Sequence, residues 1–291
     1  MDINKIKTTL KNLYHIPKAS IFNYFSGYIK RKIRLISKDR IIIKKIDGIN
    51  YELHLNQLID SSIYYSGCFE IETTNAIKKI LKPGMIALDI GANIGCHTLP
   101  MAKIVGSKGK VIAFEPMKWP FKKLKRNIEL NNFNNIIIEN IALSDKREVK
   151  EILFRSSWTL DNTKIEEANE PHKVQLETLD EYIKKHDIER VDFIKLDVDG
   201  YEYKILRGAS GTLKKFKPTI IMELGIITLE NFGDNIEDLI TFLSNLGYYF
   251  YSEKNFRKFP DKKSLIKSIP NTYKYTLNII VHSPRRPKSK N

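Results

Sequence analysis

The sequence contains three acidic side chains and a glycine-rich loop that occupy positions at which proteins of alternating strands and helices bind ligands. Asp89 opens the loop in LDIGANIG, Glu115 ends the apolar run KVIAFE, and Asp197 lies in IKLDVDGYE. A carboxylate can accept hydrogen bonds from a pair of hydroxyls, take a proton or hold a cation. The spacing therefore predicts one site for a small polar ligand, with a proton transfer beside it.

The loop from Asp89 to Gly95 reads Asp-x-Gly-x-Asn-x-Gly, with Asn93 in the middle, and differs from the dinucleotide fingerprint G-x-G-x-x-G. Gly91 and Gly95 permit a tight turn and let a ligand approach the backbone without a Cβ in the way. Asp89 would repel a pyrophosphate but suits an ammonium group, or a water near a cationic ligand. The loop therefore favours a cationic ligand over NAD.

Two further positions belong to the predicted ligand site. Glu115 follows Gly95 by 20 residues, and an acid at the tip of a second strand accepts hydrogen bonds from a ribose diol. It would do the same for NAD, so alone it does not discriminate. Ala142, in NIALSD after the third strand, is expected beside adenine, where a small side chain fits.

Asp197 is the first candidate for the general base. Apolar Leu196 and Val198 flank it, so it points to the opposite face near the carboxyl end of its strand, where open α/β sheets bind ligands. His97 and Glu223 are the other candidates. Helix capping would explain the nearby Glu202 and Asp199 but not Asp197.

A metal-assisted route is the alternative to a general base. A divalent cation could lower the pKa of an acceptor hydroxyl as a Lewis acid. Its candidate ligands are Asp197, Asp199 and Glu223. No metal is expected, because the spacing does not force a ligand set.

The elements that position these residues alternate between strands and helices from about residue 70 onward. Short apolar runs such as MIALDI and DFIKLDV, separated by helical stretches, predict a parallel, doubly wound sheet. The segments YYFYS and TLNIIVH could supply its last strands. Residues 40–56 predict a β-hairpin turning at Asp47-Gly48. Residues 144–177 are expected to be an irregular insertion over the site.

Composition limits the remaining classes. The chain has 291 residues, of which 42% are hydrophobic, enough to fill a sizeable core. Its two cysteines cannot form a disulfide scaffold and show no zinc-like spacing, so a reducing compartment is expected. With no apolar run of about 18 residues and no leader-like amino terminus, we expect a cytoplasmic protein, at most surface-attached.

The net charge of +15 is concentrated at the two ends. Residues 1–47 carry +9, residues 254–291 carry +10, and the part between them carries −4. This distribution predicts a catalytic body with electrostatic attachments for an anionic or lipid-linked acceptor, and Lys-rich composition alone is the alternative. Residues 20–36 form an amphipathic basic pattern, which predicts either peripheral membrane contact or docking onto the protein's own core or a second subunit as a homodimer.

Taken in order, the segments LKPGMIALDIGANIGCHTL, VIAFEP, NIALSD, TLDEY, IKLDVDGYEYKILRGA and KPTIIMEL resemble the FkbM family of S-adenosylmethionine-dependent methyltransferases. The resemblance covers roughly residues 65–225. It implies a class I methyltransferase (Rossmann-like) α/β fold with a seven-stranded sheet over residues 65–283. An N-terminal helical and β-hairpin extension would occupy residues 1–64, and a basic tail residues 284–291.

The resemblance also implies a reaction and its cofactor. S-adenosylmethionine would methylate a hydroxyl of a sugar, glycan or glycosylated metabolite. The positions that match the family's cofactor or active-site motifs are Asp89, Gly91, Asn93, Gly95, Glu115 and Asp197. The chain departs from the family at Asp199, where glutamate is usual, and at Cys96 and His97, where aromatic residues are common. These departures leave the acceptor open.

Rival functions fit less well. An amino-directed nucleic-acid methyltransferase would ordinarily carry [DN]-P-P-[YF] after the fourth strand, where this chain has Asp197-Val-Asp-Gly. A ribose 2′-O enzyme would need lysines beside that acid, and Lys195 shares its face but lies one pleat deeper. No nucleic-acid partner is therefore expected, although an RNA methyltransferase and a non-catalytic S-adenosylmethionine-binding module stay as alternatives.

Overall fold

The computed structural model describes residues 40–153, 171–272 and 275–284. The strands in these residues are β1 (Ile41–Ile46), β2 (Ile49–His54), β3 (Ile86–Ile90), β4 (Lys110–Phe114), β5 (Ile136–Glu139), β6 (Ala142–Leu143), β7 (Glu148–Leu153), β8 (Pro171–Glu177), β9 (Phe193–Leu196), β10 (Thr219–Leu224), β11 (Tyr249–Ser252) and β12 (Leu277–His282). The helices are α1 (Leu58–Ser66), α2 (Ile71–Ile80), α3 (Thr98–Val105), α4 (Lys118–Glu129), α5 (Leu179–Lys185), α6 (Glu202–Gly208), α7 (Ser210–Phe216), α8 (Ile226–Glu230), α9 (Ile236–Asn245) and α10 (Lys262–Ser268).

Seven strands form the central sheet in the order β11-β12-β10-β9-β3-β4-β5. The strands from β10 to β5 are parallel, and β12 runs antiparallel to both β10 and β11. The chain order reverses between β3 and β9, which is the point where open α/β sheets bind their ligands. The predicted doubly wound α/β fold is confirmed, and YYFYS and TLNIIVH do supply its last two strands.

Alternation along the strands divides the core between the two faces of the sheet. Ala87, Phe193 and Ile221 pack on the side of α2 and α3. The neighbouring residues in the sequence, such as Leu88 and Ile194, face the helices on the opposite side. Strands buried on both faces read as continuous apolar runs, which is why these segments were recognisable in the sequence.

The hairpin of β1 and β2 turns at Asp47 and Gly48, as predicted. Their φ angles of 49° and 78° match the type I′ turn that Asp-Gly favours. Asn127 of α4, fully buried, connects this hairpin to the glycine loop: its side chain accepts a hydrogen bond from Glu52 N (2.8 Å) and donates one to Ile94 O (2.9 Å). The extension therefore packs against the loop that follows β3.

The prediction of an irregular segment over residues 144–177 is wrong for the part that the structure describes. β7 and β8 pair in antiparallel fashion, and β8 also pairs with β6 in a three-stranded sheet. In EVKEIL the apolar Val149 is exposed (71%), so the polar-to-apolar alternation of that strand does not follow burial, whereas Val174 and Leu176 of β8 lie on the inner face and are buried. Residues 154–170 lie outside the described residues.

Several sequence-based predictions fall on other parts of the chain that the structure does not describe. The amphipathic pattern of residues 20–36, with its membrane and homodimer alternatives, is one of them, and residues 285–291 of the basic tail are another. The predicted boundary after residue 64 falls inside α1. Within the described ranges, no helix is both long and apolar enough to cross a bilayer.

Candidate active site

Polar side chains from four neighbouring strands meet at one edge of the central sheet. Asp89, Lys195, Asp197 and Glu223 lie near the carboxyl ends of their strands, and Asn278 pairs with Glu223 across β10 and β12. All five share the face of Ala87, Phe193 and Ile221, because strand side chains alternate. This face therefore changes from apolar under α2 and α3 to polar at its open edge.

The loop after β3 lies between the ends of β9 and β4. A Cβ added to Gly91, whose φ is +83°, would lie 1.9 Å from the carbonyl oxygen of Asp197. Asn93 has a φ of 50°, and its backbone N–H donates to Glu115 Oε2 (2.8 Å). A Cβ at Gly95 would meet the Leu124 side chain at 2.7 Å. Gly91 and Gly95, two of the predicted site residues, therefore let Asp197 and Leu124 approach the loop.

Glu115 ends β4 and is buried. Its second oxygen, Oε1, accepts from the backbone N–H of Met117 (2.8 Å). Burial raises the pKa of Glu115 to about 7, and the two backbone hydrogen bonds oppose that rise. Each carboxylate oxygen has a second lone pair, so Glu115 can still accept from hydroxyl groups.

Asp89 is fully buried beneath the loop. Its Oδ2 accepts a hydrogen bond from the Thr98 hydroxyl (2.6 Å), whereas Oδ1 has no partner among the described residues. A buried carboxylate oxygen without a donor is costly. The geometry therefore suits a ligand or water that brings a donor to Oδ1.

A small cleft opens beside the ends of β9 and β10. Its walls are Glu70, Thr73, Lys195, Leu196, Asp197, Ile221, Met222, Glu223 and Asn278. The Lys195 ammonium group donates to Asp197 Oδ2 (2.8 Å). Burial alone would lower the pKa of Lys195, but the carboxylates of Asp197 and Asp89 outweigh it and hold that pKa above its ordinary value. The cleft thus contains a permanent cation bound to the candidate base.

The other two acids near Asp197 have environments that favour their protonated forms. Burial, then the negative charge of Asp197, raises the pKa of Glu223 to about 9. The same two causes raise the pKa of Asp199 to about 6. Glu223 is therefore protonated at neutral pH and can donate a hydrogen bond, whereas the Asp197 carboxyl group accepts one from the Lys195 ammonium group. These contrasting environments favour Asp197 over Glu223 as the candidate base.

His97, the third candidate base, lies behind the cleft wall. Its side chain is 1% exposed, Nε2 is 3.5 Å from Glu70 Oε2, and its ring lies beside Phe69. His97 is not among the residues that line the cleft. It reaches the cleft only through Glu70, which separates it from an acceptor there.

Ala142 begins β6 and pairs with Leu176. Just before it, the Asn140 side chain donates to the carbonyl oxygens of Glu115 and Pro116. This contact places the segment after β5 beside the tip of β4, where Glu115, the predicted ribose-binding acid, lies. The predicted role of Ala142 near adenine stays a prediction.

The alternative metal ligands are not assembled as a set. Among residues 40–153, 171–272 and 275–284, no group of three or more His, Cys, Asp or Glu side chains is arranged to hold a metal ion. Glu202 explains part of the acidic motif in another way: its Oε1 accepts from Val198 N (3.0 Å) and Gly200 N (3.3 Å). It therefore supports the turn after Asp197 and does not cap α6, whose N-cap residue Tyr201 makes no side-chain hydrogen bond, so the capping alternative is wrong.

Sequence reasoning missed three residues of the cleft. Glu70 and Thr73 come from the start of α2, and Asn278 donates to the Thr73 hydroxyl (3.2 Å) from β12. None of them belongs to a recognisable motif. Asn278 could have been found from alternation in TLNIIVH, since it shares a face with buried Ile280 two residues along the strand.

Glu253 adds a buried acid close to Thr73, and it gives a pH-dependent prediction. Burial raises its pKa to about 7, and Oε1 has no partner among the described residues. Below pH 4.5 the Glu253 carboxyl group is protonated in both the folded and the unfolded chain. Between pH 4.5 and pH 7 the unfolded chain loses this proton more readily than the folded chain, so the free energy of unfolding falls over that range. We expect Glu253→Gln to leave the free energy of unfolding unchanged at pH 4.5 and to raise it by about 1–2 kcal/mol at pH 8, allowing for solvent screening.

Urea unfolding at both pH values measures this effect. Glu129→Gln, at the exposed end of α4, is the control, and its effect should be the same at pH 4.5 and pH 8. An equal effect of Glu253→Gln at both pH values would contradict the raised pKa.

Comparison with known proteins agrees with this arrangement. The Methyltransferase FkbM domain model matches residues 89–250. The chain is 23% identical over 189 residues to Methyltransferase 1 of Beauveria bassiana, covering 58% of this chain and 73% of that protein. It is 28% identical over 141 residues to the hexuronic acid methyltransferase AglP of Haloferax volcanii, covering 46% of this chain and 53% of that protein.

Among solved structures, a SAM-dependent O-methyltransferase from Thermotoga maritima superposes with a TM-score of 0.44 at 14% identity, covering 85% of this chain and 79% of that one. An rRNA methylase from Streptococcus thermophilus superposes with a TM-score of 0.43 at 10% identity, covering 72% and 93%. The family match spans more than half of the sequence and begins at Asp89 itself. The chain therefore belongs to the FkbM family and is an S-adenosylmethionine-dependent methyltransferase.

Proposed function

We propose that this enzyme methylates a hydroxyl group of a sugar, glycan or glycosylated metabolite. The observation that carries the proposal is the contact between Lys195 and Asp197 at the end of β9, in a cleft that opens beside the glycine loop. It holds a carboxyl group in place beside the position at which, in this proposal, an acceptor hydroxyl loses its proton. A hydroxyl needs such a base, because its own acidity is low.

The residues at the sheet edge fit S-adenosylmethionine. The unpartnered Oδ1 of Asp89 can accept from an ammonium group, and Glu115 can accept from the ribose hydroxyls. The carboxyl groups of Asp197 and Glu70 lie near the loop, and the lowered pKa of Glu70 keeps it negatively charged, which suits a sulfonium cation. When bound, this cofactor supplies a methyl group that is already activated for transfer.

The protein's own contribution is alignment and proton removal. Asp197 would accept the hydroxyl proton at its carboxylate, and protonated Glu223 would donate a hydrogen bond to a neighbouring oxygen of the acceptor. Ile221 lies on the same face as the cleft residues, is 1% exposed, and closes the cleft toward the apolar core under α2 and α3. Positioning of this kind lowers barriers by up to about 7–11 kcal/mol in ideal cases.

An anionic sugar is the acceptor class that we favour. Phe232 is 41% exposed, packs edge-to-face on Tyr201 (4.6 Å between ring centroids), and lies against Gly200 in the turn after Asp197. Lys150 donates to the Tyr201 hydroxyl (3.1 Å) and, among the described residues, pairs with no carboxylate. Aromatic rings offer apolar faces to sugars, and a free ammonium group attracts a carboxylate. The name of the Haloferax volcanii relative, a hexuronic acid methyltransferase, agrees with this choice.

This surface gives a prediction about acceptor affinity. We expect Phe232→Ala and Lys150→Met each to raise the KM for a uronic-acid-containing glycan by about 3–10-fold, because each loses about 1 kcal/mol of contact. The KM for S-adenosylmethionine should not change. Lys146→Met is the control, since Lys146 lies on the same hairpin but is already paired with Glu148 (2.8 Å). Equal effects of Lys150→Met and Lys146→Met on KM would contradict the role of Lys150.

Glu115 gives a prediction about cofactor affinity. We expect Glu115→Ala to weaken the binding of S-adenosylhomocysteine at least tenfold, because each lost hydrogen bond to a carboxylate is worth about 1.5–3 kcal/mol. Glu139→Ala, at the tip of the adjacent strand and bonded to the Tyr182 hydroxyl, should bind normally. Calorimetric titration measures both, and a titration with NAD should give no heat of binding. Tight NAD binding would overturn the cofactor assignment.

A ribose 2′-hydroxyl of RNA is the second candidate acceptor. The sequence placed Lys195 one pleat below Asp197, yet the two side chains touch, as a ribose enzyme would require. Lys195 is buried, however, and cannot also reach a phosphate at the surface. We therefore rank RNA below a glycan.

The test of the proposed function uses S-adenosylmethionine with a labelled methyl group. The enzyme is incubated separately with fractionated cell glycans and with total RNA, and mass spectrometry identifies the product. Label in the glycan fraction, abolished by boiling and insensitive to EDTA, is the expected result. Label confined to RNA would establish the second candidate, and label in neither would leave only cofactor binding.

A further inference from the structure

Among the residues that the structure describes, Lys195 is the one basic side chain that lines the cleft, and acidic groups surround it. It is 4% exposed, and its neighbours across the sheet are Asp89 of β3 on one side and Ile221 of β10 on the other. The titratable groups that interact with it from the adjoining elements are Glu70 before α2, Asp89 on β3, Cys96 before α3, Glu115 after β4, and Asp197 and Asp199 after β9. Glu223 of β10 faces Asp197 across the cleft.

The side chain of Lys195 makes a single short contact with this cluster. Its Nζ donates to Asp197 Oδ2 at 2.8 Å, and the other oxygen, Oδ1, accepts no hydrogen bond from the described residues. Residues two apart on a strand point to the same side, so the backbone itself aligns the pair. One oxygen of Asp197 is thus fixed, and the other stays free for an acceptor.

The neighbouring acids show what Asp197 would experience without this contact. Asp199 and Glu223 share its surroundings, face its negative charge and have no ammonium group bound to them, and both favour protonation. Two carboxylates that share a site cannot both ionise freely unless a cation compensates them. The charge of Lys195 also acts on Asp199 and Glu70, but its hydrogen bond goes to Asp197.

We propose that Lys195 is a positioning residue of the active site, which orients Asp197 through Oδ2 and keeps it ionised so that Oδ1 can take the proton of the acceptor hydroxyl. The catalytic part of this inference rests on the proposed function. In the proton transfer, the acceptor oxygen loses its proton to Asp197 Oδ1, and Lys195 keeps all of its own protons. Lys195 therefore acts through Asp197 and makes no bond to the acceptor.

The first test measures the ionisation of Asp197 and needs no acceptor. Protein labelled with ¹³C at the aspartate carboxyl carbon is titrated by NMR, and the Asp197 signal is identified by its loss in Asp197→Asn. We expect its midpoint to rise by at least about one pH unit in Lys195→Met and to stay near the wild-type value in Lys195→Arg. Lys204→Met, which removes the equivalent cation from Asp234 outside the cleft, should leave the Asp197 signal unchanged.

An unchanged Asp197 midpoint in Lys195→Met would overturn the proposal, because a residue that only fills space would give that result. If Lys195→Met fails to fold, Lys195→Gln keeps a donor without the charge and carries the same test.

The second test measures turnover on the methylated glycan fraction. In Lys195→Met we expect kcat to fall at least tenfold and the acidic limb of its pH profile to move upward, with a much smaller change in the KM for S-adenosylmethionine. A fall in affinity for the cofactor with kcat unchanged would contradict the positioning role. If no glycan is methylated even by the wild type, the proposed function fails, and the NMR titration still decides the role of Lys195.

Discussion

Asp197→Asn should lower turnover by about 10²–10⁴-fold, the usual contribution of a general base. An amide has nearly the shape of a carboxylate and can still accept the hydrogen bond from Lys195, but it cannot take a proton. Binding of S-adenosylhomocysteine should therefore change far less than turnover. Initial rates on the methylated glycan fraction and calorimetric titration measure the two quantities.

A matched control for this variant lies elsewhere in the same fold. Asp234 also pairs with a lysine, accepting from Lys204 (2.6 Å) and from Arg207 (3.2 Å), but it does not line the cleft. Asp234→Asn should keep near-normal turnover even if its stability falls. If Asp197→Asn keeps near-normal turnover, the general base must be His97 or Glu223 instead. If EDTA abolishes the activity of the wild type, the metal-assisted route is favoured.

Gly91→Ala should cause the largest loss of stability of any single substitution considered for this chain. The new Cβ would lie 1.9 Å from the backbone carbonyl oxygen of Asp197, at a φ of +83°. Backbone strain and overpacking together predict a fall of about 2–6 kcal/mol in the free energy of unfolding. Any folded fraction should lose turnover as well, because relief of the clash displaces Asp197.

Gly233→Ala is the control that distinguishes the steric clash at Gly91 from the backbone strain of a positive φ angle. Gly233 has a similar φ of +75°, but a Cβ there meets nothing within 4 Å, so only about 1–2 kcal/mol should be lost. Urea unfolding of both variants gives the comparison. If Gly91→Ala costs no more than Gly233→Ala, the close approach of β9 to the loop is not a constraint.

Four of the predicted site residues lie at the tips of parallel strands, where the sequence placed them. Asp89, Glu115, Asp197 and Glu223 each end or follow a short apolar run, and parallel strands bring their carboxyl ends to one edge. Alternation also placed Lys195 on the face of Asp197. It could not give the contact between them, because side-chain reach across a pleat depends on the rotamer rather than on the spacing.

The residues that the sequence did not locate come from elements without a local signal. Glu70 precedes a helix that crosses the face of the sheet, and Asn278 lies on the antiparallel strand at the far end of the chain. Their positions depend on tertiary packing over some 200 residues of sequence. The sequence also did not show why Gly91 must be a glycine. A side chain there would collide with the carbonyl oxygen of Asp197, and no pattern within the loop reveals that Asp197 lies so close.

The buried side chain of Asn127 links binding at the sheet edge to the conformation of the N-terminal hairpin. It is bonded to the hairpin at Glu52 and to the glycine loop at Ile94, so opening the hairpin removes a support of the loop. Two equilibria that share such a contact are coupled, and the coupling acts equally in both directions. Cofactor occupancy should therefore slow hydrogen exchange in β2, and substitutions in the hairpin should tune cofactor affinity at a distance. If both effects are found, the extension is thermodynamically coupled to the cofactor site and is more than its neighbour.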